Sequence, residues 1–109
     1  MATTFKNYLT SNVGTVATTV ATGGSNQTSV YSLSLANIKT PAATVTASVT
    51  LTSGPTTVHL CKDIPIPAGS AALVVGAPQK IALENGDIIQ VTASVAAAVD
   101  VLVSTVELN

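Results

Sequence analysis

The chain has 109 residues, one domain's length, which supports a hydrophobic core without disulfides or metal. Its residues are 47% hydrophobic and 8% charged, against an ordinary charged fraction of about 25%, so it is not a charge-rich disordered tail. Four widely spaced lysines, no arginine, a net charge of −1 and three aromatic residues supply neither the cationic patch nor the stacking platforms of a nucleic-acid binder.

Residues 1–10 carry Phe5, Tyr8 and Leu9 and read as either an extra strand or an arm that docks on a neighbour. They contain no basic stretch followed by an apolar run and are not expected to act as a signal peptide. Residues 11–109 read as a single domain with no internal repeat or linker. The dominant period is two, and the chain is rich in Val and Thr, which favour strands. Strands are expected near 13–21 and 28–38, with Tyr31, Leu33 and Leu35 forming the apolar row of the second. The cleanest alternation lies over 43–52, where Val45, Ala47, Val49 and Leu51 oppose Thr44, Thr46, Ser48 and Thr50. Further strands are expected near 56–62, 71–75, 79–84, 87–95 and 99–107. None of the uncharged stretches reads as a membrane helix, because Thr, Ser, Asn and Gly interrupt them.

Turn chemistry separates these runs. Thr22 to Asn26 is a Gly-rich loop, Lys39-Thr40-Pro41 breaks a strand, and Thr52 to Pro55 is a tight connection. Gly76 to Gln79 is another turn. Glu84-Asn85-Gly86-Asp87 carries the strongest hairpin signal, with Asn-Gly expected to supply positive φ at both central positions. The run from Asp63 to Ser70 holds Pro65, Pro67 and Gly69; it reads as a crossover between sheets, or as a docking edge presenting Ile64 and Ile66. The pattern predicts an all-β, antiparallel, jelly-roll-like β-sandwich of about eight strands. So few charges leave its edges and faces weakly guarded against other protein surfaces, which points to assembly.

Chemistry is sparse. His59 is the sole histidine and Cys61 the sole cysteine; two residues apart on one strand, they are expected to share a face. Two ligands do not close a zinc site, and Asp63 is the only third group nearby. A Ser-His-Asp device drawn with Ser53 or Ser104 and Asp63 or Asp100 has no Gly-x-Ser-x-Gly elbow behind it. Glu84 and Asp87 flank a turn without the Asp-rich run that calcium requires. No catalytic, cofactor or metal residue is assigned, and the chain reads as a non-enzyme.

Several stretches carry a resemblance. They are Cys61 to Ser70, Leu73-Val74-Val75-Gly76, Gln79 to Ile89, Val91 to Ser94, Asn12 to Thr15 and Leu35-Ala36-Asn37. The chain resembles small virion structural proteins of tailed bacteriophages, with which it shares turns and alternation and no chemical signature. That resemblance implies a β-sandwich that stabilises a capsid shell as a decoration (cement) protein. Its alternative is a neck, tail or baseplate part of the same virion. The partners it implies are copies of the chain, taken as a trimer, and the major capsid protein or neck and tail proteins. The implied location is the virion, assembled in the host cytoplasm. A surface- or glycan-binding module is the reading outside that family. The residues expected at a partner contact are Phe5, Tyr8, Leu9, Ile64 and Ile66.

Overall fold

The computed structural model describes residues 3–24, 27–38, 44–75 and 81–108. Among these the chain forms nine strands: β1 Thr3–Val13, β2 Thr18–Thr22, β3 Gln27–Asn37, β4 Val45–Ser53, β5 Thr56–Ile66, β6 Ala71–Val75, β7 Ile81–Leu83, β8 Ile88–Ala93 and β9 Val99–Leu108. The break at Lys39 to Pro41, the turn at Gly76 to Gln79, Lys80, and part of the 22–26 loop lie outside the described residues.

The strands build two antiparallel sheets. The first runs β1-β9-β3-β6, with β7 also paired to β3; the second runs β2-β8-β4-β5. β6 pairs with one stretch of β3 and β7 with another, so together they fill a single sheet position. Eight strand positions then divide four and four, and most connections cross between the sheets. This is jelly-roll architecture, and the expected antiparallel sandwich is what forms.

Alternation sets which face is buried. In β4, Val45, Ala47 and Val49 are buried while Thr46, Ser48 and Thr50 are half-exposed. Val30, Leu33 and Leu35 of β3, Val99, Val101 and Val103 of β9, and Ile89 and Val91 of β8 complete the centre of the core. Small β-branched and aliphatic side chains dominate this layer, and they need close sheets to reach native packing density. Thr105 is buried too, and its hydroxyl donates to the Lys6 carbonyl of β1 at 3.2 Å, tying the edge strand to the sheet.

Two turns differ from expectation. The Asn85-Gly86 turn is not a hairpin: it joins β7 in the first sheet to β8 in the second. Only Gly86 has positive φ, at 90°. Asp87 closes the turn, its Oδ2 accepting the Glu84 N–H at 2.9 Å and its own N–H donating to the Glu84 carbonyl at 3.0 Å. A hairpin needs its flanking strands in one sheet, and the three-residue β7 finds its partner in β3 instead. The true hairpin is Gly54-Pro55, where Ser53 faces Thr56 directly and Gly54 takes φ 59°.

The Asp63–Ser70 run divides. β5 continues through Pro65 to Ile66, four residues past the expected end, because it lies at a sheet edge where a proline's missing donor costs little. Pro67 to Ser70 then turns into the first sheet. Asn37 fastens this crossover: its Nδ2 donates to the Ile66 carbonyl at 2.9 Å, and its backbone N–H to the Ser70 carbonyl at 3.0 Å. The strand expected over 13–21 is also interrupted. β1 ends at Val13, and residues 14–17 carry the chain across to β2 in the other sheet.

Candidate functional site

β1 is an edge strand of the first sheet, and its alternation puts different residues on its two faces. Tyr8 turns inward and packs against the core; its hydroxyl donates to Glu107 Oε1 at 3.4 Å, and Lys6 Nζ lies 4.9 Å from its ring centroid. Phe5 and Leu9 turn outward and remain 71% and 78% exposed. Between them Asn7 accepts a hydrogen bond at Oδ1 from Ser104 Oγ, 2.8 Å away.

The outer face of the sheet continues this apolar row. Phe5 meets Tyr31 of β3 edge to face, with ring centroids 6.5 Å apart and planes at 85°. Leu9 stands opposite Leu102 of β9, which is also exposed, and Leu73 of β6 is 66% exposed. A shallow depression of about 320 Å³ lies between Leu9, Ser34, Ala36, Asp100 and Leu102. Tyr31 departs from expectation. It sits where the β3–β9 register slips between Val30 and Ser32, and the bulge turns it out of the inward row of Leu33 and Leu35.

The sheet edges are not equally protected. β5 carries Pro65, Lys62, two register breaks and Asp63 at φ 52°, all devices that blunt an edge. β2 has five residues and a register break between Thr19 and Ala21. The β6 and β7 edge is divided into pieces of five and three residues. β1 differs, because Thr3 to Thr10 pair with β9 in unbroken register. The break comes only beyond Thr10, where Asn12 takes φ 58° and its N–H donates to Asp100 Oδ1 at 3.0 Å. Lys6 is the one charge on that eight-residue stretch.

The expected contact residues therefore separate. Phe5 and Leu9 share the outer face, and Tyr8 lies behind it. Ile64 packs half-buried against the core and Ile66 is buried at the far edge of the other sheet, so neither joins that surface. The pairing of His59 with Cys61 also fails. A bulge at Leu60 sets exposed His59 opposite Thr50 and half-buried Cys61 opposite Val49, on opposite faces of β5. Among the described residues no three His, Cys, Asp or Glu side chains gather to hold a metal.

Burial pushes the Cys61 thiol above its ordinary range, while a hydrogen bond with the Val49 backbone pulls the other way. The thiolate is the reacting form, so a raised pKa leaves less of it near neutral pH. A thiol reagent is expected to label Cys61 much more slowly in the folded chain than in urea, with the folded rate rising as pH climbs. Equal rates in both states would contradict this placement.

No family model and no curated protein matches the chain. A solved structure does resemble it, described under the words "Bacillus endospore appendages form a novel family of disulfide-linked pili". The likeness has a TM-score of 0.58 at 14% identity and covers 98% of this chain and 88% of that one. At this identity the likeness establishes the shared fold. It is a likeness to a bacterial appendage, not to a bacteriophage protein, and it overturns the reading as a capsid decoration, neck or tail component. The turns and alternation behind that reading are features that β-sandwiches of small aliphatic residues share, so on their own they specify a fold and not a role.

Proposed function

We propose that this chain is a structural subunit that assembles with copies of itself and carries no catalytic activity. The observation behind this reading is the β1 edge, the least guarded of the sheet edges, lying beside exposed Phe5 and Leu9. The low charge of the chain removes most of the repulsion that keeps sheet edges apart. The jelly-roll likeness to a pilus protein supports the same reading. The separation of His59 from Cys61 supports the absence of catalysis.

Such an assembly would not be disulfide-linked in the manner that the neighbour's description states. A covalent polymer needs each subunit to bond two others, and these 109 residues hold one cysteine. These residues therefore cannot join subunits into a polymer by disulfides alone, and the assembly is expected to survive reduction. Electron microscopy of the concentrated, reduced protein tests the proposal. Discrete particles or filaments with a regular subunit repeat are expected, and a field of single subunits would contradict it.

A further inference from the structure

We propose that two copies of this chain pair β1 to β1, antiparallel about a two-fold axis midway between the two Asn7 residues, joining their first sheets edge to edge. The inference rests on the self-assembly reading above and names its contact.

Symmetry restricts the register. Two identical antiparallel edge strands that continue one sheet are related by an axis normal to that sheet, and directly opposed residues point to the same side. The axis must then lie midway between a residue and its own copy, because a register centred between successive residues would set an outward side chain opposite an inward one. Only a few centres keep the straight stretch from Thr3 to Thr10 engaged. A centre at Lys6 opposes two lysines, which is unfavourable for directly facing like charges. A centre at Tyr8 sets Phe5 against Ser11, in the irregular stretch of the strand.

The centre at Asn7 satisfies every pair from Thr4 to Thr10. On the outer face, Phe5 of each copy meets Leu9 of the other, covering the two most exposed apolar side chains of the strand. On the inner face Lys6 meets Tyr8 of the other copy, the combination that already lies at 4.9 Å within one chain. Thr4 meets Thr10, a favourable hydroxyl pair. At the centre the two Asn7 amides face each other; each Oδ1 accepts from its own Ser104, and the amide donors remain for the facing copy. The outer apolar row then runs from Tyr31 and Phe5 of one copy to Leu9 and Leu102 of the next. An isologous contact of this kind closes as a dimer, so larger assemblies add a second contact elsewhere.

A cysteine beside the axis tests the register. In a Cys61→Ser background, Asn7→Cys would oppose its own copy at about 4.5–5.5 Å between Cα atoms, within disulfide reach. Thr4→Cys would stand roughly 20 Å from its copy, six strand residues away. Mild oxidation is expected to convert the Asn7→Cys variant to a covalent dimer and to leave the Thr4→Cys variant unlinked. Leu9→Lys, at an exposed position, is expected to abolish the dimer in sedimentation without loss of fold. Assembly without the Asn7→Cys crosslink, equal crosslinking at both positions, or a Leu9→Lys variant that still dimerises would overturn this pairing and leave self-assembly standing. A chain that stays monomeric at every concentration would overturn both.

Discussion

Replacing Leu33 with alanine is expected to lower the unfolding free energy by about 3 kcal/mol, the usual cost of removing a fully buried leucine side chain. Leu33 has no exposure and sits on β3, an interior strand of the first sheet, with Val103 of β9 on one side and Val75 of β6 on the other. Its neighbours are held by strand pairing on both sides, so they relax little into the cavity. A domain of this size has about 5–15 kcal/mol in total, so the loss is a large share. Urea denaturation measures it as a lower midpoint at unchanged slope. Leu73→Ala, on the exposed face of β6, is the control and is expected to change the unfolding free energy by about 0.5 kcal/mol or less. Equal losses at the two positions would mean that the faces of the sheet are wrongly assigned.

Gly23→Ala is expected to be comparably severe, at about 3 kcal/mol or an outright failure to fold, for a different reason. Gly23 is buried, and an added Cβ would lie 2.0 Å from the Glu84 carbonyl oxygen and 3.1 Å from Leu83 Cβ. The opposing atoms are backbone, so no rotamer change relieves the clash. The same residue locks two crossings together: its N–H donates to the Asp87 carbonyl at 2.7 Å, and its carbonyl accepts from the Gly86 N–H at 3.0 Å. Gly24→Ala meets nothing within 4 Å and is expected to be near neutral. The same urea experiment separates the adjacent glycines, and a neutral Gly23→Ala would contradict the close approach.

How much of this was legible depends on whether the signal was local. The sandwich was, because Val45, Ala47 and Val49 against Thr46, Ser48 and Thr50 declare a half-buried strand without reference to any partner. The path of the chain between sheets was not. Asn85-Gly86 is a hairpin signal only when its flanking strands pair, and which strand β7 joins is a property of the whole fold. Bulges were equally hidden. Those near Tyr31 and Leu60 each shift the alternation by one residue, moving Tyr31 to the surface and separating His59 from Cys61. Leu102 lies on the outward row of β9, between buried Val101 and Val103. Phe5 and Leu9 stood out as apolar residues in an otherwise polar segment, yet their value as a contact depends on β1 being an edge. The virion reading came from turns and periodicity that many jelly rolls share.

The central claim is that copies of this chain associate through the least guarded sheet edge, and its mass in solution tests that most directly. Sedimentation of the reduced protein, from dilute to concentrated, is predicted to show a mass that rises from the monomer to the dimer and beyond. A single species at the monomer mass across that whole range would contradict the claim.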